Sequence, residues 1–275
     1  MDINEIAAAA AQADGTDPLD EATRLALRHH PERVWSLVRD DGFALVVDGD
    51  LSLVVHPEAR GRGVGEALLA DAMADAPLPP VSAWSHGDHP AAAKLAAGQG
   101  FRRARELWVM RRPMSRPLPP PVARDGVTVR GYTEADADEL LRVNAAAFAA
   151  HPEQGEMDAA NLAERMAEPW FDPAGLLLAV EHDAAGAGTG RLLGFHWTKQ
   201  HSPTLGEVYV VGIDPAAQGR GLGKLLTLAG LHHLADLGVD EVLLYVESDN
   251  APAIAVYAGL GFAHAPADTH VRYER

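Results

Sequence analysis

The chain contains no cysteine. Disulfides, thiolate metal sites, cysteine nucleophiles and thiol redox sensing are therefore excluded together. Aromatic residues make up only 6% of the sequence, and positive charge is scarce: 23 Lys and Arg face 39 Asp and Glu, a formal net charge of −16. A field of that sign repels phosphate backbones and anionic lipid, so neither a nucleic acid nor a membrane surface is expected as a partner. Any phosphate group must be held by local geometry. No stretch is apolar over the roughly 20 residues a bilayer requires. The opening Met1-Asp2-Ile3-Asn4-Glu5 is acidic where a secretion signal is basic. A cytoplasmic protein is expected.

What is present is the composition of a folded globule, with 47% hydrophobic and 23% charged residues. The 275 residues amount to two domains. Prolines 113, 117, 119, 120 and 121 mark the clearest break, since they remove backbone donors and favour extended geometry. The expected division is a first domain at residues 1–112, a semi-rigid linker at 113–126 and a second domain at 127–275.

The two halves repeat one another. Gly61, Arg62, Gly63 and Gly65 match Gly219, Arg220, Gly221 and Gly223 at a spacing of 158 residues, and Gly100-Phe101 matches Gly261-Phe262 at 161. Two blocks in one order at nearly one spacing indicate duplication of a fold. Each copy reads as strand, Gly-rich turn, helix, strand, helix, Gly-Phe, strand. Val208–Ile213 carries the β-branched run of a strand that stops at Asp214-Pro215, and Leu222–Leu237 has helical apolar spacing. The class is α/β.

In the turn Gln218-Gly219-Arg220-Gly221-Leu222-Gly223, glycine permits positive φ and close approach of a ligand to the backbone. The first amides of the following helix lack intrahelical partners and carry the positive end of its dipole. Such a turn can hold a diphosphate even on an acidic chain; the bland reading is a glycine-rich turn that serves packing. A Walker-type loop fails because Gln218 and Leu225 stand where Gly and Ser or Thr are required, and a dinucleotide fingerprint fails at Lys224. What remains is Gln/Arg-x-x-Gly-x-Gly, present twice, from Arg60 and from Gln218.

That doubled pattern resembles the acyl-CoA diphosphate loop of the GCN5-related N-acetyltransferases (GNAT). The resemblance implies two tandem GNAT domains, each a mixed, splayed sheet flanked by helices, with acetyl-CoA as co-substrate and no metal. Residues 143–148, 151–155, 170–173, 193–199, 206–210 and 244–250 narrow it to one branch, whose members acetylate the cysteinyl amine of desacetylmycothiol (Cys-GlcN-Ins). In the first half the likeness is mainly the loop, and the part before residue 51 reads as trimmed. An acetyltransferase for another primary amine, such as an aminoglycoside or a protein N-terminus, or a non-catalytic acyl-CoA sensor, are the alternatives. Two similar domains in one chain make a monomer the expected form.

By resemblance the coenzyme contacts of the second half are Val211, Gly212 and Ile213, then Gln218, Gly219, Arg220, Gly221, Leu222, Gly223 and Lys224, with Asn250 and Ala253. Those of the first half are Leu53, Val54, Val55, Arg60, Gly61, Arg62, Gly63, Val64 and Gly65. A cysteinyl amine, with a reference pKa of about 7.7–8.0, needs a base near neutrality. Glu207, on the strand entering the loop, suits that role; Tyr257 is placed as these enzymes place the acid that reprotonates the thiolate. The alternatives are a solvated strand glutamate and a core tyrosine. The matching positions in the first half are Gly49 and Ala96, so the first half is expected to be non-catalytic, with Asp48 and Asp50 facing the other side of a strand. Acceptor contacts implied by the resemblance are Glu21, Glu153, Lys199, Glu207 and Tyr245. The 13 histidines, including His29-His30, His86-x-x-His89 and His232-His233, show no zinc spacing.

Overall fold

The computed structural model describes residues 1–149, 152–182 and 188–275, the side chains of 152, 153, 188 and 189 excepted. In chain order its elements are α1 (Ile3–Asp14), α2 (Glu21–His29), β1 (Val34–Arg39), β2 (Gly42–Val47), β3 (Asp50–Val55), α3 (Val64–Asp75), β4 (Ser82–Ser85), α4 (Pro90–Gly98) and β5 (Arg102–Pro113). They continue with β6 (Val127–Gly131), α5 (Ala137–Ala147), α6 (Pro152–Gly155), α7 (Ala159–Met166), β7 (Leu176–His182), β8 (Gly188–Ser202) and β9 (Leu205–Ile213). The chain closes with α8 (Leu222–Asp236), β10 (Glu241–Glu247), α9 (Ala251–Gly259) and β11 (Ala263–Glu274). Among the described residues no helix is long and apolar enough to cross a membrane.

Two compact units divide the chain, and they interleave. The first comprises Met1–Val109, Glu247–Asn250 and His264–Arg275; the second comprises Met110–Val246 and Ala251–Ala263. The proline-rich stretch belongs to the second unit, where it is fastened rather than free. Met114 N donates to Asp240 O at 2.8 Å, and His232 Nε2 lies 3.0 Å from Pro119 O. The fully buried Arg112 guanidinium donates to four carbonyls, those of Leu260, Pro113, Arg116 and Pro117.

In the first unit the strand order is β1-β2-β3-β4-β11-β5, with β3 parallel to β4 and the β1-β2-β3 meander antiparallel. The stretch before residue 51, read from the sequence as trimmed, holds two helices and two strands. Asp48 (φ 50°) and Gly49 (φ 86°) form the two-residue turn between β2 and β3, a conformation that Asp-Gly favours. Asp48 and Gly49 therefore lie off the strand on which the sequence put them. Asp50 opens β3 and accepts from Ser82 Oγ at 2.8 Å and Arg272 Nη1 at 3.2 Å.

In the second unit the order is β10-β9-β8-β7-β6, mixed because β10 and β9 run parallel while the rest is antiparallel. One core gathers Leu140 and Val143 of α5 with Leu176, Leu178, Phe195 and Trp197 of the sheet. On α8, Leu222, Leu225, Leu226, Leu228, Leu231 and Leu234 are buried. This helix meets β8 at a glycine. A methyl group placed on Gly230 would stand 2.1 Å from the ring of His196. His196 is fully buried, its Nδ1 2.8 Å from the Leu226 carbonyl, and burial pushes its pKa down to about 4.

Two outcomes follow for stability. Gly230→Ala should lower it by about 1–3 kcal/mol in denaturant unfolding, through overpacking. The unfolded chain protonates His196 near 6.5 and the folded one only near 4. The contribution of a neutral His196 is thus complete above pH 6.5 and lost as pH falls toward 4, about 3 kcal/mol in all. Unfolding measured between pH 7 and pH 4 should show that loss, and His196→Gln should flatten it.

Candidate active site

The second unit opens between two parallel strands. The β9–β10 ladder runs from Leu205–Glu241 to Val208–Leu244 and, among the described residues, stops there. From Tyr209 to Ile213 the β10-side edge of β9 is left with unpaired backbone groups, available to a ligand. The β8–β9 register steps from Trp197–Val210 to Thr198–Val208, so Tyr209 is an extra residue, a β-bulge of the kind that re-aims a strand at functional sites. The bulge is pinned from outside. Arg165 Nη1 donates to Tyr209 Oη at 2.6 Å, and Gln154, bonded to the buried Asn144 at 2.8 Å, approaches the same nitrogen at 3.4 Å. Tyr209, Trp170 and Trp197 pack edge to face or tilted at 5.1–5.8 Å, and the Lys199 ammonium sits 4.6 Å above Trp170 and 5.2 Å from Tyr209.

Glu207 lies on β9 just before the ladder ends, opposite Lys199 on β8, and is only 5% exposed. Its Oε2 is 2.6 Å from Nε2 of His201. A second bulge puts His201 there: the register steps from Gln200–Gly206 to Ser202–Leu205, leaving His201 as the extra residue on β8. Sequence spacing gave no signal of this partner, because nothing in it marks the bulge.

Past Ile213 the chain turns through Asp214, 5% exposed, whose carboxylate accepts from Ala216 N at 2.9 Å and from Arg142 Nη1 at 2.9 Å. The Ala216 amide and the Arg142 guanidinium hold this carboxyl below its ordinary range against the effect of burial. Arg142 also bonds Glu139 at 2.8 Å and the Leu192 carbonyl at 3.0 Å, so α5 clamps the entrance of the turn. Gly219 (φ 78°) and Gly221 (φ 74°) are left-handed, and Gly221 caps α8 without any side-chain bond to its amides. Gly223 differs: a methyl group there would meet no atom within 4 Å. The protein has no packing need for glycine at 223, whereas close approach of a ligand does. In the first unit, a methyl on Gly65 would stand 3.2 Å from Leu95 Cδ1, so protein already fills that cradle.

Tyr257 stands on α9, its ring edge-to-face with Phe262 at 6.0 Å, and burial pushes its pKa up to about 12. Of the acceptor candidates, Lys199 and Glu207 face each other across β8 and β9, and Tyr245 on β10 is 39% exposed rather than core. Ala253 lies in the second unit. Asn250 counts with the first, as do Glu21 at the start of α2, Leu53–Val55 on β3 and Arg60–Gly65. Arg60 is engaged there, donating twice to Asp14 at 2.7 Å. The Glu153 side chain lies outside the described residues. Among the described residues no cluster of three or more His, Asp or Glu could hold a metal.

The acetyltransferase (GNAT) family model matches residues 138–262. The sequence is 68% identical to a mycothiol acetyltransferase from a Nocardioides species, over 99% of this chain and 96% of that protein. It is 50% identical to the mycothiol acetyltransferase of Nocardia farcinica, over 97% and 91%. The chain belongs to the mycothiol acetyltransferases of the GNAT family. Solved structures share the tandem fold of these acetyltransferases: a tandem GNAT protein from the clavulanic acid pathway matches with a TM-score of 0.69 at 22% identity, over 98% of this chain and 92% of that one. A GCN5-related N-acetyltransferase from Sphaerobacter thermophilus matches at 0.67 and 23%, over 99% and 91%. The α/β class and the tandem GNAT organisation expected from the repeat are borne out.

The two loop glycines of the second unit should respond oppositely to alanine. Gly221→Ala forces a left-handed alanine, costing about 1–2 kcal/mol. Gly223→Ala lies in an ordinary helical turn with open space and should leave stability equal or raised by about 0.5–1 kcal/mol. Thermal unfolding of the two variants measures the difference.

Proposed function

We propose that the second unit transfers the acetyl group of acetyl-CoA directly to the cysteinyl amine of desacetylmycothiol (Cys-GlcN-Ins), releasing mycothiol and CoA. The observation that carries this reading is the buried Glu207 at the point where β9 leaves β10, in a chain 68% identical to a mycothiol acetyltransferase. The left-handed turn Gln218–Gly223 and the first amides of α8 receive the diphosphate, and the open edge from Val211 to Ile213 receives the pantetheine arm and the thioester. Lys199, Glu207, Tyr245 and Glu153 serve the acceptor.

Glu207 takes a proton from the ammonium form of the acceptor, directly or through a water, and the freed amine attacks the thioester carbonyl. His201 is a positioning residue: its Nε2–H bond to Oε2 fixes the carboxylate and leaves Oε1 for the proton. A backbone amide on the open edge of β9 donates to the developing oxyanion. Tyr257, raised to about 12, stays protonated throughout the working range and gives its proton to the departing thiolate, and the phenolate recovers a proton from the nitrogen of the collapsing tetrahedral adduct. Because the amine attacks the thioester itself, no acyl-enzyme forms and no cysteine is needed.

The first unit is a non-catalytic copy. Gly49 and Ala96 replace the base and the acid, its β2–β3 pairing runs without a bulge, and Leu95 crowds the cradle at Gly65. Its left-handed Gly61 and Gly63 keep the outline of an acetyl-CoA loop, the tight coenzyme site being that of the second unit. The enzyme acts as a cytoplasmic monomer, with no nucleic-acid partner on a surface of net charge −16.

Glu207→Gln and Tyr257→Phe should each lower kcat by about 100-fold or more with acetyl-CoA affinity unchanged. CoA release should be fastest with Cys-GlcN-Ins within a panel of primary amines; equal rates for an aminoglycoside would overturn the acceptor assignment. With the phenol at about 12, the kcat profile should show no alkaline limb below about pH 10. A limb there that disappears in Tyr257→Phe would contradict the raised pKa of this phenol, and unchanged kcat in Tyr257→Phe would overturn its role as the acid.

A further inference from the structure

We infer that Arg124, in the proline-rich segment ahead of β6, is the cation that clamps the coenzyme diphosphate onto the second unit. The inference rests on the acetyl-CoA reading of the Gln218–Gly223 turn and deepens it. A methyl group on Gly221 would stand 2.7 Å from Nη2, 3.0 Å from Nε and 3.2 Å from Cζ of Arg124. The guanidinium therefore lies against the backbone of the residue that caps α8. Its Nε is buried and makes no hydrogen bond. The backbone is held separately, the Arg124 carbonyl accepting from Val127 N at 3.1 Å, so the side chain is delivered from a fixed point.

The other cations near the turn are placed differently. Arg220, within the loop, bonds Glu181 on β7 at 3.1 Å, and Arg142 is committed to Glu139 and Asp214. Arg191 lies 3.8 Å from Asp214, and Lys224 is exposed on the first turn of α8. Arg124 alone combines contact with Gly221, a permanent charge and a buried donor without an acceptor among the described residues. A guanidinium offers a planar fork that fits two phosphate oxygens at once. A dianionic diphosphate held by neutral amides on a chain of net charge −16 gains most from such a partner. The segment joining the repeats is thus part of the coenzyme site, and Gly221 is glycine for two reasons: its left-handed φ and the arginine lying over it.

The test compares acetyl-CoA, its 3′-dephospho form and acetyl-pantetheine, which lacks the diphosphate, on the full chain and on Arg124→Ala and Arg124→Lys. Arg124→Ala should weaken acetyl-CoA and the dephospho form alike, by about 10- to 100-fold in Kd or KM. Turnover of saturating acetyl-pantetheine should be unchanged, which also shows that the variant folds. Arg124→Lys should recover part of the loss. Equal affinity of wild type and Arg124→Ala for acetyl-CoA overturns the inference, as does an equal loss for acetyl-pantetheine. A loss confined to the form bearing the 3′-phosphate overturns assignment to the diphosphate. Failure of the wild type itself to bind acetyl-CoA overturns the underlying reading instead.

Discussion

The second unit depends on one constraint: β9 and β10 pair only as far as Val208 and Leu244, and then part. Had the parallel ladder continued, the backbone groups of Tyr209 to Ile213 would be satisfied within the sheet and nothing could dock against them. Parting leaves that edge unpaired, an arrangement tolerable only where a ligand or water completes it. The bulge at Tyr209 is the local means of re-aiming the strand, and the bond from Arg165 keeps it in place. Glu207 stands beside the opening because it is the penultimate residue of the paired segment.

A second constraint is charge. A strongly acidic chain has only fixed backbone dipoles and few cations to offer a polyanionic ligand. Asp214 contributes indirectly: its carboxylate caps the short turn at Ala216 and pairs with Arg142, so the direction in which the chain enters the glycine turn is set before any ligand arrives. The carboxylate thereby fixes the approach to the glycine turn. Gly223 completes the arrangement as empty space rather than as a conformational necessity.

The fold was legible because duplication wrote it twice. The glycine turns, the Gly-Phe blocks and their near-equal spacing identify two copies of one α/β unit, and the contrast between Glu207 and Gly49 is the reason the base was expected in the second half. His201 could not be read. Its approach to Glu207 depends on a one-residue register slip, and bulges carry no mark in a strand's alternation. Arg124 was hidden for another reason: proline-rich composition reads as spacer, yet the segment is fastened along its length through Arg112, Met114 and Pro119. Asp48 and Gly49 were misread as strand, although Asp-Gly between apolar runs is a hairpin signal.

The interleaving of the two units bears on how such a duplicated chain can be taken apart. β11, the last strand in the sequence, lies in the first unit, antiparallel to β4, while the end of β5 belongs to the second. No single cut in the polypeptide releases either unit whole: severing it in the proline-rich segment strips β11 from the first piece and leaves it with the second, its own ladder exposed. Duplication here left two units without a clean boundary in the sequence, so either one can be isolated only by cutting the chain at more than one point.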